Sequence, residues 1–189
     1  MSAERPLFIP VILGTVRKGR ASERVARYVY EEVRRRAGVE TELIDIRDIK
    51  VPPDDEGGDI KDAGFSAVCQ RADAFVLVVP EYNHGYPGLL KHVLDTNLKE
   101  YIHKAVGVCG VSAGGFGGTR VIQNLLPVLR ELGLVTIYWD ANFSSAHKLF
   151  DEQGNILDAS YARRLDQFLK ELAWMAKVLR HGRETLALE

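Results

Sequence analysis

The chain is poor in cysteine. Among its 189 residues are only Cys69 and Cys109, far apart and outside any CxxC spacing, which excludes a disulfide scaffold and a cysteine-rich zinc site. Long apolar runs are also lacking: none approaches the roughly 18 residues that a bilayer span needs. Neither sign of charge dominates. The 25 Lys and Arg against 26 Asp and Glu leave a formal charge of −1, without the basic surplus of a nucleic-acid-binding domain. The five histidines are scattered, and His84 and His92 do not fall on adjacent helical turns, so no metal site is indicated. The early apolar stretch Leu7–Leu13 has no small-residue cleavage site and reads as a strand rather than a leader. Hydrophobic residues make up 46% and charged residues 27%, the usage of a folded chain rather than a disordered one. With no repeat and no break in composition, residues 1–189 read as one domain, soluble and cytoplasmic.

What is present alternates between two periods. Leu7–Leu13, Ala74–Pro80 and Ala105–Val111 are short and continuously apolar, the pattern of strands covered on both faces. Glu40–Ile46 alternates and reads as an edge strand, and Leu134–Trp139 reads as a fifth strand. Between them run helical stripes. One carries Ala26, Val29, Val33 and Ala37 and stops at Gly38; another carries Ile122, Leu125, Leu126, Leu129 and Leu132 and stops at Gly133; the longest runs from Leu165 to Leu179. Shorter helices are expected over Phe65–Arg71 and Gly88–Leu98. Five rounds of strand and helix predict an α/β fold, a doubly wound five-stranded parallel sheet in the order 2-1-3-4-5 with helices on both faces. Two residues conflict with it: Pro10 predicts a bulge inside the first strand and Pro127 a kink inside a helix. Asp54–Asp59 reads as a solvated loop, and Arg34-Arg35-Arg36 as cations at a helix C-terminus.

In such sheets ligands bind beyond the carboxyl ends of the strands, where strand order reverses. The loops leaving the first, third and fourth strands converge there, and each has unusual composition. Gly14–Ser22 opens a helix with Thr15, Arg17 and Ser22, suited to an anion at a helix N-terminus. It is neither a P-loop, since Arg20-Ala21 stands where Lys-Ser/Thr is required, nor a GxGxxG fingerprint. Pro80–Gly88 is a stiff turn whose tyrosines and amide can face a planar heterocycle. Ser112–Gly118 holds four glycines, which allow close backbone approach to a ligand. One rival arises here. Gly110-Val111-Ser112-Ala113-Gly114 matches GxSxG, the nucleophile turn of α/β hydrolases, with Asp140 and His147, or Asp166 and His181, in the required order. Against that rival, the chain is short and has no HGGG-type segment before Ser112.

Taken together, the Gly14-Thr15-x-Arg17 loop, the segment Pro80-Glu81-Tyr82-Asn83 with Gly85, Pro87-Gly88, Leu90-Lys91 and Asp95, and the glycine-rich loop resemble the NAD(P)H-dependent FMN reductases of the flavodoxin-like superfamily, whose relatives reduce quinones, azo dyes and chromate. The resemblance covers about Phe8 to Leu132. It implies FMN as cofactor and NADPH or NADH as reductant. It further implies that Thr15, Arg17, Arg20, Ala21 and Ser22 hold the phosphate, that Pro80, Glu81, Tyr82, Asn83 and His84 line the ring, and that Ser112, Ala113, Gly114 and Gly115 approach its pyrimidine side. No protein side chain is then a catalytic acid, base or nucleophile, because the flavin carries the chemistry. The resemblance also implies small-molecule substrates, ping-pong kinetics and a homodimer or homotetramer, for which the Ile122–Leu132 stripe is a candidate contact. A single-electron carrier is the alternative within the fold, though such carriers are usually strongly acidic. A flavin-free member binding another phosphorylated ligand is a third.

Overall fold

A computed structural model describes residues 5–52 and 60–187; the Asp54–Asp59 run lies outside the described residues. In chain order the elements are β1 (Leu7–Phe8), β2 (Val11–Leu13), α1 (Ser22–Arg34), β3 (Val39–Glu40), β4 (Leu43–Asp45), α2 (Ala63–Arg71), β5 (Ala74–Pro80), α3 (Gly88–Asp95), β6 (Ala105–Val111), α4 (Thr119–Glu131), β7 (Val135–Thr136), β8 (Ala141–Phe143), a 3₁₀ turn at Ala146–Lys148, and α5 (Ala159–Thr185).

All pairings between these strands are parallel. β1 pairs with β3, β4 with β2, β2 with β5 and β5 with β6, while both β7 and β8 pair with β6. Taken as continuous paths, β1/β2, β3/β4, β5, β6 and β7/β8 give the expected order 2-1-3-4-5. The first path is interrupted at Ile9-Pro10, where the missing proline N–H removes a ladder donor. It stays in line because the Pro10 carbonyl still accepts from Val76 N at 3.0 Å and Ile9 N still donates to Glu40 O at 2.9 Å.

The fifth path departs further from expectation. From Thr136 to Ala141 it advances five residues while its neighbour advances three, from Val106 to Cys109. The two extra residues push Tyr138 and Trp139 outward, and Tyr138 is 83% exposed. The strand predicted at Leu134–Trp139 is therefore two short strands, the second of which starts beyond Trp139.

Alternation within the apolar runs explains their continuity. Leu7, Ile9, Val11, Leu13, Val76 and Val78 pack on one face with α1 and α5, and Phe8, Ile12, Phe75, Leu77 and Val79 on the other with α2, α3 and α4. Gly107 lets α5 lie close to the sheet, since a Cβ there would sit 2.4 Å from the Phe168 ring. Asp62 and Asp158 cap α2 and α5 by accepting from Phe65 N and Ser160 N, both at 2.8 Å. α4 runs through Pro127 and ends in a Schellman motif: Gly133 N donates to Arg130 O and Leu134 N to Leu129 O, both at 3.0 Å, with Gly133 at φ +76°.

Ile122, Leu125 and Leu129 of the α4 stripe are fully buried in this core. That corrects the expectation that the stripe supplies a subunit contact, because the residues carrying its period face their own sheet.

Candidate active site

β2, β5 and β6 end side by side, so the three glycine- and proline-marked loops start from one edge. The first leaves β2 at Gly14, whose N–H is held by Val78 O at 2.9 Å. Thr15 is buried, and its Oγ1 lies 3.0 Å from the Tyr82 hydroxyl and accepts from Arg17 N at 3.4 Å. The Arg17 guanidinium sits over the Tyr82 ring at 4.1 Å. Arg20 turns inward instead. Its guanidinium faces both carboxylate oxygens of Asp45, donates to the Thr15 carbonyl, and lies 3.5 Å from Glu23. Burial pushes the Asp45 carboxyl up, but hydrogen bonds from Arg20 and Arg47 outweigh it and bring the pKa down to about 2.

Two features of this loop point to a missing acceptor. Helix α1 begins after Ala21 with no side-chain cap; the Glu23 amide donates to the Arg20 carbonyl at 3.2 Å, and the other first-turn amides are open to an acceptor from outside. The Ser22 hydroxyl is buried and has no hydrogen-bond partner. A buried orphan hydroxyl is costly unless something completes it. A phosphate offers acceptors to the amides and the hydroxyl alike, so this donor set fits an FMN phosphate.

The second loop is a two-residue turn closed by Tyr82 N to Gly85 O at 3.0 Å and Gly85 N to Tyr82 O at 2.9 Å. Its central residues, Asn83 and His84, both have left-handed backbone, φ +49° and +66°, as a type I′ turn demands. Non-glycine residues held there carry strain, which clusters at functional sites. Asn124 of α4 donates to the His84 carbonyl at 2.6 Å. Glu81 joins this loop to the third: its N–H donates to Val111 O at 2.8 Å, and its carboxylate accepts from Arg120 N and Nη1, both at 3.3 Å. It thereby caps the N-terminus of α4.

In the third loop, Gly118 has φ +78°, and a Cβ there would lie 2.5 Å from Val111 N. The tight return is made by Gly117 and Gly118. At Gly114 and Gly115 an added Cβ would meet nothing within 4 Å, so their contribution is an open backbone rather than an unusual conformation. Ser112 N donates to Phe143 O at 3.0 Å and Ser112 Oγ to Gly114 O at 2.8 Å. No hydrogen bond joins Ser112 to a histidine among the described residues, and Asp166, one acid of the hydrolase alternative, is tied to Arg36 at 2.7 Å and Lys170 at 2.8 Å. Burial, followed by the nearby Asp140, pushes the Cys109 thiol up, so it is no thiolate nucleophile.

A cleft of about 270 Å³ lies between the loops. Of the residues singled out in the sequence, Arg17, Arg20, Ala21, Ser22, Pro80, Glu81, Tyr82, Ser112 and Ala113 line it, while Thr15, Asn83, His84, Gly114 and Gly115 lie outside that lining. Gly19 and Val111 also line it. Gly19, at φ +67°, was legible as a turn glycine, whereas Val111 reads only as the end of a strand. Arg120 and Asn124, which brace the second loop, sit on a helix face that no periodicity marks. Among the described residues no group of His, Cys, Asp or Glu could hold a metal ion, and no helix is long and apolar enough to cross a membrane.

Comparison with known proteins places the chain in a family. An NAD(P)H-dependent FMN reductase of Schizosaccharomyces pombe is 35% identical over 121 residues, 58% of this chain and 59% of that protein. A probable NADPH:quinone oxidoreductase of Oryza sativa is 28% identical over 184 residues, covering 90% of this chain and 89% of the relative. In fold alone, a flavoenzyme NAD(P)H:(acceptor) oxidoreductase from Paracoccus denitrificans superposes with a TM-score of 0.75 at 22% identity, over 90% of this chain and 98% of that one. Residues 8–148 match the NADPH-dependent FMN reductase family, and the chain belongs to that family.

Proposed function

We propose that this protein binds FMN in the three-loop cleft and reduces a small oxidant, free flavin or a quinone, at the expense of NAD(P)H. The observation that carries the reading is the convergence of the buried orphan Ser22 hydroxyl, the uncapped start of α1 and the cation of Arg17 on one side of a cleft whose other walls are Pro80–Tyr82 and Ser112–Ala113. FMN, when bound, supplies the hydride-accepting and hydride-donating ring. The chain's own part is to hold and orient it. Ser22 Oγ, the first-turn amides of α1, Thr15 and Arg17 would take the phosphate. Pro80, Glu81, Tyr82, Asn83 and His84 would set one edge of the ring, and backbone from Ser112 to Gly115 the other, with N–H donors favouring negative charge on the reduced form. Glu81 and Arg120 hold these two edges in register. Arg20, whose charge Asp45 takes, is left out of the phosphate ligands.

A flavin held in this cleft would offer reductant and oxidant the same ring face in turn, so steady-state data are expected to give the parallel lines of a ping-pong scheme. Substrates are small molecules, and the working place of the enzyme is the cytoplasm. The protein assembles as a dimer or tetramer through a face other than the buried α4 stripe, and sedimentation at micromolar concentration tests whether it assembles.

The deciding experiment is a visible spectrum of the purified protein with added FMN, before and after anaerobic NADPH. We expect a bound-flavin spectrum that bleaches rapidly. Bound flavin that bleaches only through a protein reductase would make the chain an electron carrier instead. Absence of flavin binding would overturn the reading.

A further inference from the structure

We propose that Arg20 and Asp45 form a positioning pair that holds the first loop in its phosphate-receiving shape, and that Arg20 is not itself a phosphate ligand. The inference rests on the FMN reading above. Arg20 is cationic, in the loop, and 1% exposed in its side chain, so on sequence alone it is a natural phosphate ligand. Its contacts say otherwise. The guanidinium meets Asp45 with both terminal nitrogens, a fork that uses the geometry peculiar to arginine. One of those nitrogens also donates to the Thr15 carbonyl.

The backbone of Arg20 meanwhile stands at the far end of the same loop, where its carbonyl accepts from Glu23 N at 3.2 Å. The side chain therefore staples the first residue of the turn to the last, and both to the end of β4. Asp45 is well placed to receive it because it lies in register with Leu13, the residue on which β2 ends. Between Thr15 and Arg20 the loop is otherwise held by a 3.4 Å bond from Arg17 N to Thr15 Oγ1, by contacts of Thr15 and Arg17 with Tyr82, and by a glycine at φ +67°; none of these joins its two ends.

Charge leads to the same assignment. Asp45 faces Arg20, and Glu23 lies 3.5 Å from its Nε, where no hydrogen bond forms. The remaining cation at the Asp45 carboxylate, Arg47, lies 2.7 Å from Oδ2, half-exposed on the outer side. Moving Arg20 onto a phosphate would break a desolvated, bidentate pair and leave Asp45 short of its inner partner. Arg20 Nε keeps no hydrogen bond but faces Glu23, and the Glu23 amide is held by the Arg20 carbonyl, so the donors left for an anion are the Ser22 hydroxyl and the remaining first-turn amides of α1. Those are the groups that the staple presents.

The test uses the full chain with Arg20→Gln, Asp45→Asn, the double variant, and Arg34→Gln, an exposed partner of Glu31 at the far end of α1, as control. Dissociation constants for FMN and for riboflavin, which lacks the phosphate, are measured by fluorescence titration. Hydrogen exchange of the amides of residues 16–22 is followed in flavin-free protein. Each single variant should weaken FMN by about tenfold or more, the scale lost when supporting hydrogen bonds behind a site are removed, with riboflavin affinity little changed. The double variant should be no worse than the weaker single variant, because the two residues act as one unit. Exchange at residues 16–22 should quicken in both, and Arg34→Gln should resemble wild type.

Asp45→Asn binding FMN as well as or better than wild type, or leaving loop exchange unchanged, would overturn the proposal and make Arg20 a ligand. Should Arg20→Gln not fold, Arg20→Lys keeps the charge without the fork and is expected to lose FMN affinity while keeping riboflavin; unchanged FMN affinity there counts against the pair. Wild-type protein that binds neither flavin defeats the FMN reading instead, and the exchange arm then still decides whether the pair holds the loop.

Discussion

Ser22 shows how a single atom ties stability to function. Its hydroxyl is buried without a partner, and an unsatisfied buried polar group costs about 1–3 kcal/mol. Ser22→Ala is therefore expected to raise the melting temperature of the flavin-free protein while weakening FMN binding, and paired thermal melts with and without FMN check both signs. Asp45 gives the opposite dependence on solution conditions. Its carboxyl is held at about 2, below the ordinary carboxylate value, so the folded state keeps it ionised more firmly than the unfolded chain does. The resulting stabilisation is complete above the unfolded pKa, near pH 4, and is lost as pH falls through the folded value. Urea denaturation compared at neutral pH and at about pH 3 should show wild type losing more stability than Asp45→Asn; equal losses would contradict the assignment.

The informative elements are the turns rather than the helices. The Asn83-His84 turn places two side-chain-bearing residues at positive φ, a conformation that costs roughly 1–2 kcal/mol for an ordinary L-residue and less for Asn. His84→Gly is expected to stabilise the protein by about 1 kcal/mol, read as a shift in denaturation midpoint without a change in slope. If His84 contacts the ring, the same substitution weakens FMN binding, so stability and affinity move in opposite directions. The cationic run stands at the C-terminus of α1, as its sequence predicts, with Arg34 and Arg35 exposed and Arg36 largely covered. Arg34 and Arg35 pair with Glu31 and Glu32 one turn back, and Arg36 reaches Asp166 on α5. Exposed pairs of this kind contribute little individually.

Across the whole molecule, the end of the sheet opposite the cleft is tied together through Asp73. This carboxylate, 2% exposed, accepts from Phe8 N at 3.0 Å and lies 3.0, 3.4 and 3.6 Å from Arg5, Arg183 and Arg180. It links the N-terminal strand to the last turns of α5, residues more than a hundred positions apart. Asp73→Ala removes the counter-charge those guanidinium groups share, although Arg180 and Arg183 keep carbonyl acceptors at Arg5, Pro6 and His103, and is expected to cost about 3 kcal/mol, measured by chemical denaturation, with little direct effect on the cleft in the surviving folded fraction. The sheet order, the two covered faces and the three loops are readable from the sequence alone. Apolar runs, helical stripes and glycine stops are local patterns whose periods follow from backbone geometry. The family is readable there as well, because the Pro80–Asn83 segment and its flanking glycines are contiguous. It takes the folded chain to show that Ile122, Leu125 and Leu129 face their own core, that Tyr138 and Trp139 are extruded from a register mismatch, and that the guanidinium of Arg20, a residue of the cleft wall, is turned to Asp45. Each of these depends on which distant residue stands opposite: Asp45 is twenty-five positions from Arg20, and no local period encodes where a long side chain finds its counter-charge.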